Sequence, residues 1–320
     1  MRALITSSAM PYVQMADIAD PEPNRDEAVV QVRAFSLNRS ELVSLPNFWD
    51  GHADGSTVSE PMGSVPGYEM AGVVVQRAAD GTGPSEGTRV AGFPTRGSWA
   101  ELVTCRTNLL GTLPESVTFE AAATLPVAGQ TAYRALRRGG FLVGKRVLIT
   151  GAAGGVGTFA VQLAKLSGAH VTGVASTAAR RDAILNLGAD SAWSAVSATG
   201  NRRFDLVLDA VGGAALGAAF ARVVRGGTIV QYGEASLEPV TIPAGLYATM
   251  PGVKYEPFLL FPDLQSDLSG TANLQLLARL VGEGLLVPQI AEVLPWEETA
   301  NGIDNLAQRN YVGKLVLSVH

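Results

Sequence analysis

The sequence predicts an α/β protein of two domains, one a doubly wound parallel sheet and the other a β-rich barrel or sandwich. Three observations carry that expectation. From about residue 146, short apolar runs alternate with helical segments; a glycine-rich loop joins the first such run to the first such helix; and the first third of the chain is a series of short strands cut by turn residues. Alternation of strand and helix argues for a parallel sheet covered on both faces, because each parallel crossover needs a helix to bring the chain back to the same edge.

The elements follow in order. "AVVQVRAF", "AGVVVQRA", "TRVAGF" and "WAELVTC" are separated by "PEPN", "DGTGPSEG" and "PTRGS". Turn signals at such short spacing suit a barrel or sandwich. From about residue 118 the texture changes to an Ala-rich segment, "TFEAAATLPVAGQTAYRALRR", which predicts a helix. Then "RVLIT", "GTFAVQLAKLSG", "HVTGVA", "ARRDAILNLG", "FDLVLDA", "AALGAAFARVV" and "GTIVQYG" alternate strand with helix. Near residue 262 a polar stretch, "FPDLQSDLSG", leads to helix "TANLQLLARLVGEG", strand "QIAEVLPW", helix "ETANGIDNLAQ" and strand "GKLVLSV". This last piece is too small to fold alone. It is expected to return to the first domain, giving one domain of residues 1–117 and 263–320 and another of residues 118–262.

Composition narrows the function classes. With 47% apolar and 17% charged residues over 320 positions, the chain can bury a large core. The net charge of -5 and the absence of a basic run argue against a nucleic-acid partner. No apolar stretch reaches bilayer length, and the run in "MRALITSSAMPYVQ" is too short for a signal-peptide core. Cys105 is the only cysteine, which excludes an internal disulfide and a multi-cysteine zinc knuckle. His52, His170 and His320 are widely scattered. A cytoplasmic, metal-poor protein acting on small molecules is expected.

The segment "RVLITGAAGGVGTFAVQLAKLSGAHVTGVAS" is the most specific signal. A strand over residues 146–150 runs into Ala152-x-Gly154-x-x-Gly157 and then a helix. Gly151 supports the tight turn, Gly154 and Gly155 let the backbone approach a pyrophosphate, and Gly157 lets the helix pack close. The free N–H groups of the helix end then face the phosphates. The second strand selects the cofactor. Ala175 stands where an acid would grip the ribose hydroxyls of NAD, and Ser176, Thr177, Arg180 and Arg181 follow. Hydroxyls and a guanidinium suit a 2′-phosphate, so NADP(H) is expected, with Arg180 the nearer guanidinium and Arg181 either a second partner or a residue of the solvated helix face.

"PGYEMAG", residues 66–72, places Glu69 directly before the apolar run "GVVV". A carboxylate buried there needs a partner. Backbone groups or an arginine are expected to supply it.

"SLNRSEL", "VPGYEMAGVVV", "GSWAELV", "AATLPVAGQTAYRAL", the glycine loop, "LGAD" and "GKLVL" occur in one order over nearly the whole chain. In this it resembles the zinc-independent members of the medium-chain dehydrogenase/reductase superfamily, close to the NADPH:quinone oxidoreductases. The resemblance implies a GroES-like β-barrel built from both ends of the chain, a Rossmann domain between, and a cofactor cleft at their junction. The positions of the zinc ligands in zinc-dependent relatives read Asn38, Tyr68 and Val127, a poor set for zinc. Asn38 and Thr131 match residues near the nicotinamide in the quinone reductases. The expected cofactor seat is thus Asn38, Thr131, Ala152, Gly154, Gly155, Val156, Ser176, Thr177, Arg180, Val211 and Gly233, with Asn38 and Tyr68 as catalytic candidates and no metal. Phe48, Trp49, Tyr247, Tyr255 and Phe258 are candidates for a substrate wall. An edge strand around "GVKYEPFLLF" implies a homodimer.

Three readings of function follow. The first is NADPH-dependent hydride transfer to a quinone or other conjugated carbonyl. The second is enoyl reduction of a thioester or alkenal, against which Arg39 stands where such modules often carry a tyrosine. The third is a non-catalytic NADPH-binding protein.

Overall fold

A computed structural model describes residues 1–45, 60–197, 199–242, 244–267, 269–309 and 311–320. Along the chain come β1 (Arg2–Thr6), β2 (Val13–Asp17), β3 (Glu27–Ser36), the short helix α1 (Arg39–Ser44), β4 (Met70–Gln76), β5 (Arg89–Gly92), β6 (Leu102–Arg106) and β7 (Leu110–Thr112). The Ala-rich segment is not one helix. It forms α2 (Phe119–Ala122), a π turn (Leu125–Gly129) and α3 (Gln130–Arg137). Pro126 lies in the π turn and cannot donate to an α-helical ladder, which explains the break.

The alternating region supplies β8 (Arg146–Ile149), α4 (Gly155–Leu166), β9 (His170–Val174), α5 (Ala178–Asn186), β10 (Ser191–Trp193), β11 (Phe204–Asp209), α6 (Gly213–Phe220), β12 (Val223–Gln231), α7 (Leu246–Thr249) and β13 (Lys254–Pro257). The polar stretch after it is helical, α8 (Leu260–Asp267). Pro262 sits in its first turn, where a missing N–H costs no helix bond. Then come α9 (Gly270–Gly282), β14 (Ile290–Pro295), α10 (Thr299–Gln308) and β15 (Lys314–Ser318).

Contacts divide the chain into Met1–Gln130 with Leu264–His320, and Thr131–Asp263. The change of texture at residue 118 and this division do not coincide, because α2 lies against β3 and β4 of the first unit. That unit holds a sheet ordered β14-β15-β3-β4-β5-β7, with β6 also on β3. The last strand returns antiparallel to β3, with Val316 opposite Ser36. Ala34, Ala71, Ala91, Ala122, Ala123 and Val316 are 0% exposed, and these small side chains let α2 sit close on the sheet.

The second unit is a six-stranded sheet ordered β10-β9-β8-β11-β12-β13, parallel throughout. Central strands β8 and β11 are buried apolar runs, as two covered faces require. Strand order reverses between β8 and β11, so the crevice beyond their carboxyl ends is the place for a ligand. At the far edge, the Arg134 guanidinium pairs with Asp263, and Arg138 pairs with Asp263 and Glu256. These contacts fasten α3 and the residue after it to α8 and β13.

Candidate functional site

In the second unit the site begins where β8 ends. Gly151 has φ +59, which opens the turn, and a Cβ on Gly157 would lie 2.3 Å from Gly151 O and 2.6 Å from Ala152 Cα. Only glycine lets the first turn of α4 rest on the loop in this way. The first bond of the helix runs from the Thr158 N–H to Gly154 O at 3.0 Å. The N–H groups of Gly155, Val156 and Gly157 precede it as the open donors of the helix end. This cradle fits the pyrophosphate of a dinucleotide.

Sequence reasoning missed the brace behind the loop. Thr150 Oγ1 donates to Asp209 Oδ1 at 2.7 Å, and Asp209 Oδ2 accepts from the Gly212 N–H at 2.8 Å. Burial pushes the Asp209 carboxyl up, against the pull of those donors. The lone acid closing the apolar run "FDLVLDA" was the available signal. A Cβ on Gly233 would come 3.0 Å from Ala210 O, so the ends of β11 and β12 approach closely beside Val211.

At the end of β9 both Arg180 and Arg181 are partly buried. Thr177 caps α5, its hydroxyl accepting from the Arg180 N–H at 3.3 Å. Arg181 folds back on the chain. Its Nη1 donates to Ser176 O at 2.9 Å and Ala175 O at 3.2 Å, which draws the guanidinium over the strand end. There it lines a cavity of about 500 Å³ with Trp193, Ser194, Ser197, Thr199 and Arg222. Among the described residues no carboxylate pairs with Arg181.

In the first unit the question posed by Glu69 is answered by a lysine, not an arginine. Glu69 is 0% exposed, and its Oε1 accepts from Lys314 Nζ at 2.8 Å, from Asn38 Nδ2 at 2.7 Å and from the Ser36 hydroxyl. Its Oε2 accepts from the Val127 N–H at 2.7 Å, so it does order backbone as expected. Lys314 also donates to Asn38 Oδ1 at 2.6 Å and Leu37 O at 2.8 Å. An Arg fork would not thread between three acceptors at one point; a compact ammonium does.

Glu41, also buried, closes the turn before α1. It accepts from the Asn38 N–H at 2.6 Å and the Tyr68 N–H at 2.9 Å. Burial first, and the Glu69 charge second, push its carboxyl up to about 8, against the pull of Lys314 and the two N–H groups. The folded state therefore keeps a proton that the unfolded chain gives up at an ordinary carboxyl value. Stability should fall as pH rises from about 5 to 8, by roughly 3–4 kcal/mol for this residue. Glu41→Gln should flatten that slope in thermal melts between pH 5 and 9. Parallel slopes for the two proteins would refute the assignment.

Tyr68 is half-buried, and its hydroxyl is engaged within its own unit. It lies 3.0 Å from Ser44 Oγ, which also reaches Ser40 O at 2.7 Å. Glu60 Oε1 lies 3.5 Å from the same hydroxyl. Thr131 is 7% exposed, near the start of α3 in the second unit. Of the proposed wall, Phe48 and Trp49 lie outside the described residues. Phe258 is buried with the Arg138 guanidinium 4.1 Å above its ring, Tyr255 donates to Gln231, and Tyr247 is exposed.

The geometry meets known proteins at this point. The alcohol dehydrogenase GroES-like domain model matches residues 24–129, and the zinc-binding dehydrogenase model matches residues 182–317. A 2-methylene-furan-3-one reductase from Solanum lycopersicum is 33% identical over 230 residues, 67% of this chain and 57% of that protein. The chain thus spans little more than half of that relative. An acryloyl-coenzyme A reductase from Sulfurisphaera tokodaii is 26% identical over 99% of both chains. The quinone oxidoreductase from Thermus thermophilus, solved also in complex with NADPH, superposes with a TM-score of 0.82 at 28% identity, covering 100% of both chains.

Fold and matches together define an oxidoreductase with a GroES-like domain and a Rossmann domain. The chain belongs to the medium-chain dehydrogenase/reductase superfamily. The zinc that one family model's name implies does not fit the residues here. Val127 contributes only a backbone N–H, the Asn38 carboxamide is bonded at both ends, and a lysine ammonium occupies the carboxylate. No group of three or more His, Cys, Asp or Glu side chains among the described residues could hold a metal. No helix among them is long and apolar enough to cross a membrane.

Proposed function

We propose that the protein is a zinc-independent, NADPH-dependent reductase of quinones or other conjugated carbonyls. The observation that carries this reading is the buried Lys314–Glu69 pair beside Asn38, where a metal-dependent relative needs metal ligands. Without a Lewis acid, the acceptor must already be electrophilic at carbon. Bound NADPH would supply the hydride. The chain's own part is to hold it and to exclude water. Both curated relatives carry names that denote reduction of a conjugated double bond, which favours an enone or enoyl thioester alongside a quinone. The test is turnover of a small quinone and a small enal, followed as NADPH loss. No turnover of either would leave the third reading, a non-catalytic NADPH-binding protein.

The cofactor seat is proposed as Ala152, Gly154, Gly155 and Val156 for the pyrophosphate, Val211 and Gly233 alongside, and Ser176, Thr177, Arg180 and Arg181 for the 2′-phosphate, with Asn38 and Thr131 toward the nicotinamide. Arg181 is the arginine whose guanidinium lies against the strand end. NADPH should bind at least about tenfold more tightly than NADH, or 1.4 kcal/mol. Arg181→Ala should remove most of that preference and leave NADH binding unchanged, with Arg180→Ala the smaller effect. Equal wild-type affinities for the two cofactors would end this assignment. A second copy of the chain, pairing along edge strand β13, is the proposed partner, and light scattering in solution tests it. The cytoplasm is the proposed location, which cell fractionation tests.

A further inference from the structure

The cavity of about 500 Å³ beside β10 lies within the second unit. Four guanidinium groups gather around it. Arg181 and Arg222 line it, and Arg202 and Arg222 lie over the Trp193 ring, 5.7 and 5.1 Å from its centroid. Arg203 follows along the chain, its Nη1 donating to Gly200 O at 3.1 Å. Among the described residues no carboxylate pairs with any of the four, in a chain whose net charge is -5. Arg222 is the anomaly. It is 4% exposed, and an unpaired buried charge is costly. Its Nε donates to Arg202 O at 2.8 Å, and its Nη1 to Ser197 O at 2.8 Å and to Thr199 O. Those carbonyls hold the fork but carry no charge. Nη2 has no partner among the described residues and is not sealed from solvent, so its two N–H groups open on the cavity. Gly200 keeps that edge clear, since a Cβ there would lie 3.1 Å from Nη1 and 3.6 Å from Nη2. Burial first, and the Arg203 and Arg202 charges second, push the Arg222 guanidinium down.

We propose that this cavity is a binding site for a phosphate monoester, with Arg222 as its buried anchor. A phosphate accepts charge-assisted bonds from guanidinium N–H groups in the geometry they already hold. A dianion also offsets the repulsion among four cations, which a single carboxylate does less well. Arg181 spends its Nη1 on Ala175 O and Ser176 O and brings a second charge to the same wall. Two sources share this chemistry. One is the 2′-phosphate of NADPH, whose proposed seat includes Arg181; the other is a separate phosphorylated small molecule. The site does not depend on the conjugated-carbonyl reading.

The probes are inorganic phosphate and phenyl phosphate, with chloride at equal ionic strength as the control. Tryptophan fluorescence should change saturably with either probe, and the change should vanish in Trp193→Phe. Arg222→Met should weaken phosphate binding about tenfold or more. Because Arg222 also holds its loop, Ser194→Glu is the second variant. Ser194 is exposed on the cavity wall and makes no hydrogen bond among the described residues, so a carboxylate there opposes the anion without breaking the loop. It should lower phosphate affinity to a similar extent and leave the melting temperature without probe unchanged. Competition separates the sources. If the 2′-phosphate is the occupant, inorganic phosphate displaces NADPH but not NADH, and Ser194→Glu weakens NADPH alone. If a separate ester is the occupant, phosphate binds equally well to the NADPH-saturated protein. Either result supports the site. The absence of a saturable phosphate signal, or a signal that Arg222→Met and Ser194→Glu both leave unchanged, would overturn it. Phosphate binding by a protein that does not bind NADPH would support the site and overturn the cofactor seat.

Discussion

Gly157→Ala is expected to weaken NADPH binding about 100-fold or more, a loss of about 2.7 kcal/mol. The added Cβ would stand 2.3 Å from Gly151 O and 2.6 Å from Ala152 Cα. Both neighbours are backbone, so no side chain can rotate away. The first turn of α4 must lift off its own loop, and the N–H groups of Gly155 to Gly157 then lose their common aim at a phosphate. The cost to folding is smaller, about 1–3 kcal/mol, because the strain is local and a helix end can yield. Gly245→Ala is the control, since a Cβ there meets nothing within 4 Å. Fluorescence titration with NADPH reads the affinity, and denaturant unfolding without cofactor reads the fold. A Gly157→Ala affinity within threefold of the wild type would mean that this loop does not carry the pyrophosphate.

The nucleotide-binding unit was legible because its signals are local. Strand, glycines and helix lie within about 30 consecutive residues, and each glycine answers to backbone geometry a few residues away. The arginine pair was legible only in kind. Residues 180 and 181 point about 100° apart on a helix, and which one meets the strand end depends on where the helix starts. The helix over Leu260–Asp267 was hidden by Pro262, which reads as a breaker unless it falls in a first turn. The network in the first unit was the least legible. Burial cost alone demands a partner for Glu69, but Lys314 is 245 residues distant, and no periodicity relates the last strand to the loop before the fourth. Only the return of the final strand beside β3 brings them together.

That same network carries the other large expected effect. Lys314→Met should destabilise the protein by about 3–5 kcal/mol, most of the margin of an ordinary domain. The pair is almost wholly enclosed, with side-chain exposures of 4% and 0% and a separation of 2.8 Å. Removing the ammonium does not merely delete one attraction. It leaves Glu69 as a buried charge whose remaining partners, Ser36, Asn38 and the Val127 N–H, are neutral, and it strips donors from Leu37 O and Asn38 Oδ1. Glu69→Gln alone leaves the converse problem, an ammonium without its counter-ion. The double variant Lys314→Met/Glu69→Gln removes both charges and should recover most of the loss, so the effects of the single changes should be far from additive. Denaturant unfolding of the four proteins measures that coupling. A single Lys314→Met within about 1 kcal/mol of the wild type would mean that water reaches the pair in solution and screens it as at a surface. A double variant as unstable as the single would instead assign the loss to the unpaired carbonyls of Leu37 and Asn38, and the lysine would matter as a three-way hydrogen-bond donor more than as a charge.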